Sequence, residues 1–163
     1  MPDAIVLYVT RNGHSRDLAR DLGQRLGAEV LEIGDLVNRK GLFGWLNSGR
    51  QASMRASTPI RDPDAKLASV KTVVLVHPVW ASAVCPPVRT WLRSHAKELS
   101  GKRVAVLASA YSTPAAVIRA KYEGEFAADL AAGRLAACAV VQQKDAEALR
   151  ERTVADFAAE LAR

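Results

Sequence analysis

Four stretches of this chain are apolar at nearly every position instead of at alternate ones. They are Ala4-Ile5-Val6-Leu7-Tyr8-Val9, Val73-Val74-Leu75-Val76 after Thr72, Val104-Ala105-Val106-Leu107-Ala108 after Arg103, and residues 135–141, "LAACAVV". A strand with one wetted face alternates polar and apolar residues, so a run without alternation belongs to a strand covered on both faces, as in a parallel sheet packed between helices. Residues 28–33, "AEVLEI", supply a fifth strand. Helical patterns fill the gaps: residues 15–26 place Leu18, Leu22 and Leu26 at i, i+4 and i+8, with Gly27 as a stop. Further helices are expected over about Pro87–Glu98, Pro114–Ala132 and 145–162. Strands alternating with helices in this way give an α/β fold, a doubly wound five-stranded parallel sheet with helices on both faces.

At 163 residues the chain is expected to form one domain, residues 1–163. Only 34–71 resists the regular reading. It is a connection far longer than usual, and its "GLFGWLNSGRQASM" is an apolar, aromatic stretch of irregular helical character. The N-terminus has no basic region ahead of its apolar run, so it reads as a first strand and not a signal peptide. No apolar run approaches the roughly 20 residues of a membrane span. Cys85 and Cys138 match neither a disulfide framework nor a zinc spacing, which implies reduced thiols and a cytoplasmic location.

The formal net charge is +6, and the excess concentrates in 37–66, where Arg39, Lys40, Arg50, Arg55, Arg61 and Lys66 face only Asp62 and Asp64. Such a surface admits an acidic partner, an anionic cofactor or an anionic interface. Nucleic acid is not expected as a partner, because aromatic residues are few and no nucleic-acid motif is present. Phosphatase chemistry of the Cys-x5-Arg type fails at Trp91, which stands where the arginine would. There is no P-loop, no G-x-G-x-x-G and no G-x-S-x-G. A receiver-type phosphoacceptor would need acids where Thr10-Arg11 and His77 stand. His14, His77 and His95 have no metal-ligand spacing, so neither a catalytic side chain nor a metal site is assigned.

In an open α/β sheet, ligands bind beyond the carboxyl ends of the strands, at the switch point where neighbouring connections leave in opposite directions. Three loops should therefore converge: 10–15 "TRNGHS", 77–87 "HPVWASAVCPP" and 109–114 "SAYSTP". In the first, an Asn-Gly turn leads into a helix whose N-terminal N–H groups attract an anion, with Thr10 and Ser15 adding hydroxyls and Ser15 capping the helix. In the second, Trp80 offers a flat face, and the small residues Ala81, Ser82 and Ala83 let the backbone approach a ligand edge. In the third, Tyr111 is a second aromatic wall. Together they suit a cofactor with a phosphate at one end and a planar heterocycle at the other.

These loops carry a resemblance to a known family. Thr10-Arg11-Asn12-Gly13-His14-Ser15 is similar to Ser/Thr-x-Thr-Gly-Asn-Thr/Ser. His77-Pro78-Val79-Trp80-Ala81-Ser82, followed by Pro86-Pro87-Val88-Arg89, is similar to Thr-Pro-Val-Trp-Ala-Gly followed by Pro-Pro-Val-Arg. The chain thus resembles the flavodoxins over nearly its whole length, and "RKGLFGWLNSGRQA" resembles a segment of bacterial relatives. The resemblance implies a flavodoxin-like sheet of strand order 2-1-3-4-5, in the short-chain form with no insertion in the fifth strand. It implies FMN held by the three loops. Thr10, Arg11, Asn12, Gly13, His14 and Ser15 would surround the phosphate. Pro78, Val79, Trp80, Ala81, Ser82 and Ala83, with Ser109, Ala110 and Tyr111, would surround the ring.

The implied activity is electron transfer, or reduction of a small molecule such as a quinone, with a redox protein or NAD(P)H as donor. The chain departs from the pattern at Asn12 and His14, which should weaken the hold on phosphate. Ser82 stands where glycine is common and makes some loop orientations costlier. His77 stands in place of a threonine, where it either hydrogen-bonds near the ring or crowds the loop. An alternative is a binding module of the same fold that has lost flavin. A third is a membrane-peripheral reductase docking through "GLFGWL".

Overall fold

A computed structural model describes residues 3–163. Five parallel strands form the sheet: β1 (Ala4–Tyr8), β2 (Glu29–Glu32), β5 (Thr72–Pro78), β6 (Arg103–Ala110) and β7 (Ala137–Gln142), in the order β2-β1-β5-β6-β7. Numbered as the five expected strands, this is 2-1-3-4-5. Successive residues of each strand go to opposite faces, which is why both sets must be apolar. Ile5, Leu7, Val73, Leu75, Val104 and Val106 meet Val88 and Trp91 of α3 (Pro86–Ser94), Leu99 of α4 (Ala96–Leu99), and Ile118, Tyr122 and Phe126 of α5 (Ala115–Phe126). Val6, Tyr8, Val74, Val76, Ala105 and Leu107 meet Leu18 and Leu22 of α1 (His14–Leu26) and Val154, Phe157 and Leu161 of α6 (Glu147–Leu161).

The elements follow the sequence reading with local differences. The expected helix over 87–98 breaks at His95, whose ring sits between Asp62 and Glu98 at 2.8 Å from each. The helix expected to reach Ala132 stops at Phe126, and 131–133 is a 3-10 turn. The long connection is not irregular. Its ends are tied by a short antiparallel ribbon, β3 (Gly34–Asp35) with β4 (Ile60–Arg61), and between them α2 (Gly41–Ser53) is a regular helix.

α2 is seated by polar bonds more than by apolar burial. A Cβ on Gly44 would lie 2.2 Å from the Arg39 carbonyl carbon, so only glycine permits this approach of the two backbones. At the far end, the Arg89 guanidinium donates to the Ala56 carbonyl (3.1 Å) and grips Glu125 of α5 through both carboxylate oxygens (2.5 and 3.2 Å). The Thr90 hydroxyl donates to the Thr58 carbonyl and accepts from its N–H.

His77, at the end of β5, is fully buried. Nδ1 lies 2.9 Å from the Pro78 carbonyl, so it carries the proton and donates, while Nε2 accepts from the Tyr122 hydroxyl at 2.5 Å. The residue therefore neither faces the loop's ligand side nor crowds it; it bolts β5 to α5. Burial pushes its pKa down to about 4, so it is neutral in the fold. The unfolded chain takes up a proton near pH 6.5 and the folded one does not. The corresponding stability is complete above pH 6.5 and is lost as pH falls to 4, by about 3 kcal/mol over the window. His95 acts in the opposite sense. Burial disfavours its charge, but bonds to Glu98 and Asp62 overrule this and raise its pKa, so its contribution fades as pH rises. A urea midpoint that drops between pH 7 and pH 4.5, with a flatter profile in His77→Gln, is the expected result.

Candidate functional site

β1, β5 and β6 end side by side, and the loops that follow them converge as topology requires. The first loop is shaped by Gly13, whose φ of 94° is a conformation only glycine holds without strain. Gly13, not Ser15, is the N-cap of α1, and no side chain caps the helix. Ser15 lies inside the first turn, nearly fully buried. The loop closes on itself: the Thr10 hydroxyl accepts from the Gly13 N–H (2.9 Å), and the Asn12 side-chain carbonyl accepts from the His14 N–H (3.4 Å). Arg11 is drawn sideways, donating to the carbonyls of Arg39 (2.9 Å) and Gly41 (3.3 Å) at the start of α2.

The second loop is a tight turn. Ala81 and Ser82 both have φ of 50°, and the Ala83 N–H donates to the Trp80 carbonyl at 3.1 Å. Two consecutive non-glycine residues in the left-handed region are uncommon. Both residues are exposed, and the Ser82 hydroxyl meets that of Thr113 on the third loop at 3.0 Å. The Arg39 guanidinium carbon stands 4.8 Å from the centroid of the Trp80 ring, within range of a cation–π contact. Arg39 is held there by Asp35, Ser48 and Gln51. Tyr111 stands free at the mouth, 77% exposed.

The loops enclose a cavity of ≈ 440 Å³ that runs from Asn12, His14 and Ser15 at the head of α1 to Trp80 and Tyr111, within the size range of ligand pockets. Arg11, Pro78, Val79 and Ser109 also line it, and no lining residue is acidic. A second cavity of ≈ 460 Å³ continues past Trp80, between Ala81, Ser82, Tyr111 and Thr113 on one side and Trp45, Leu46 and Arg50 of α2 on the other. A third, ≈ 470 Å³, holds Thr10 with Asn38, Lys40 and the Arg39 side of Trp80.

Of the residues expected in the site, Thr10, Gly13, Ala83 and Ala110 do not line the first two cavities; Thr10 lines the third, and Gly13 shapes the loop without lining any of the three. Ala83 is buried closing its turn, and Ala110 is buried in β6, where its carbonyl accepts from the Gln143 N–H at 2.8 Å. Three lining or supporting residues were not anticipated: Trp45, Gln143 and Arg39. Trp45 stood out only as part of an aromatic stretch and Arg39 only as one of a basic group, and nothing in the sequence marked Gln143. The thiols stay protonated. Burial raises Cys85 far above the usual thiol range and Cys138 to about 11. Among the described residues no cluster of three or more His, Cys, Asp or Glu side chains could hold a metal.

No protein-family model matches this chain, and no curated protein matches it in sequence. Solved structures do. A candidate flavoprotein from Bacteroides eggerthii superposes with a TM-score of 0.76 at 17% identity, over 99% of this chain and 98% of that one. A flavoprotein in complex with FMN from Lactobacillus acidophilus gives 0.65 at 12% identity, over 76% and 85%. Flavodoxin 2 of Bacillus cereus gives 0.53 at 15% identity, over 98% and 97%. What is shared at such identities is architecture, and with the strand order, the crossover helices and the three converging loops it leads to one conclusion: the chain has the flavodoxin-like fold.

Proposed function

We propose that the chain is an FMN-binding redox protein of the cytoplasm. The observation that carries this reading is the first cavity. One end is the N-terminus of α1, with no acidic residue in the lining; the other end is walled by flat aromatic rings. The similarity to a flavoprotein solved with FMN supports the same reading. The backbone of the first turn of α1 and the Ser15 hydroxyl would hold the phosphate, with Thr10 shaping the loop through its bond to the Gly13 N–H. Trp80 and Tyr111 would flank the ring, with Arg39 stiffening Trp80 from behind. The exposed turn at Ala81 and Ser82 would meet its polar edge.

Bound FMN supplies one- or two-electron chemistry that no side chain here provides. The chain's own part is to bind, orient and restrict access. His77, at the start of the second loop, is sealed against Tyr122, lines neither of the first two cavities and takes no part. The second cavity, which shares Trp80 and Tyr111 with the first, would take a small planar acceptor such as a quinone, with NAD(P)H or a redox protein as the electron source.

One observation favours a second reading, a binding module without flavin. The Gly13 and His14 N–H groups are already bonded to Thr10 and Asn12, so the loop is satisfied without an anion. The absorption spectrum separates the two. After incubation with FMN and gel filtration, the protein should carry a flavin spectrum with quenched fluorescence. A colourless protein would overturn the proposal and leave the second reading.

A further inference from the structure

A helix on the surface of a globular protein buries its large apolar side chains and shows polar ones to water. α2 does the reverse. Gly44, Ser48 and Ala52 face the protein, while Leu42, Phe43, Trp45 and Leu46 are exposed, Phe43 to 87%, and Met54 continues the exposed face just beyond the helix. Five of the eight exposed large hydrophobic residues among those described fall within 42–54. Scattered exposed leucines need no explanation; a cluster of this kind does.

The charge around the cluster is one-sided. Between Asp35 and Asp62 there is no acidic residue, and the segment carries Arg39, Lys40, Arg50, Arg55 and Arg61. Arg39 is buried. The other four are exposed, and among the described residues none of them is in a salt bridge. A second copy of this chain is a poor occupant, because a two-fold contact would set each cationic patch against itself. An anionic occupant is favoured. Its form follows from the shape of the patch: protruding apolar side chains on a preformed short helix, ringed by cations, match the boundary between acyl chains and anionic headgroups.

We propose that α2 docks the protein on an anionic membrane surface, with Leu42, Phe43, Leu46 and Met54 entering the acyl boundary and Lys40, Arg50 and Arg55 against the headgroups. No described helix is long and apolar enough to cross a membrane, so the attachment is peripheral. Because Trp45 walls the second cavity, docking brings the mouth of the site to the membrane surface. The proposal does not rest on the flavin reading, and protein with or without added FMN should bind alike.

The test is co-sedimentation of the full chain with phosphatidylcholine vesicles, alone or with about a third phosphatidylserine. Binding is expected on the anionic vesicles only, with loss as salt rises from about 0.05 to about 0.5 M. Leu42→Ser/Phe43→Ser should weaken it about tenfold or more. Lys40→Glu/Arg50→Glu should abolish it independently; all four side chains are exposed, so the unfolding midpoint should hold. Absence of binding at low salt overturns the proposal and points to an acidic protein partner. Undiminished binding by the Leu42/Phe43 variant overturns it too. A dimer mass in solution that the same variant reduces to a monomer would assign the patch to a second copy.

Discussion

Gly13→Asp should elute colourless from a gel-filtration column after incubation with FMN, under conditions where the parent chain elutes yellow. Two effects combine. The left-handed φ at this position costs an L-residue roughly 1–2 kcal/mol, and the new carboxylate would stand at the N-terminus of α1, where the phosphate belongs. A side-chain anion there satisfies the helix polarity on its own and repels a second anion. Affinity should fall by at least about a hundredfold, about 2.7 kcal/mol. The fold should survive, because the nearest atom to an added Cβ is the mobile tip of Arg16 at 3.0 Å. Gly13→Ala isolates the strain and should retain part of the colour. If Gly13→Asp binds FMN like the parent chain, the phosphate does not sit at this loop.

Arg89→Leu should produce the largest loss of stability. The guanidinium is buried and bidentate on Glu125, which is itself almost buried and keeps only Arg93 at 3.2 Å once Arg89 is gone. Removing one partner of a buried pair costs about 3–5 kcal/mol, because the other charge is stranded. At this chain length that is a fall of roughly 10 °C in Tm. Arg89→Leu/Glu125→Leu should recover most of it, since no charge is left unpaired. A single variant that melts with the parent chain would show that the pair is not a structural tie.

The positions of strands and helices were legible because burial on both faces leaves a local signature, visible in Val73-Val74-Leu75-Val76 without reference to anything distant. The three loops followed from topology, which fixes where strand ends meet. What escaped depended on partners far away in the chain. Arg39 over Trp80 joins residues with no shared periodicity. The buried His77 acquires its role only when α5 brings Tyr122 against it, and Arg89 stood in a recognised motif whose partner, Glu125, carried no mark. The direction in which α2 faces was also hidden. Its apolar residues would ordinarily turn inward, and the close approach of Gly44 to Arg39 turns them out.

The polar seating of α2 has a consequence for the order in which the molecule opens. β5 and β6 are covered by apolar side chains on both faces, so their amides should exchange only when the whole domain unfolds. α2 hangs on a handful of directional bonds: the Arg11 contacts at its start, those of Arg39 to Ser48 and Gln51 along its length, and those of Arg89 and Thr90 just beyond its end. Such a segment forms its own unit of local opening, with a free energy well below that of the sheet. The aromatic wall supplied by Trp45 thus belongs to the part of the protein that detaches first, and the floor of the cavity to the part that detaches last.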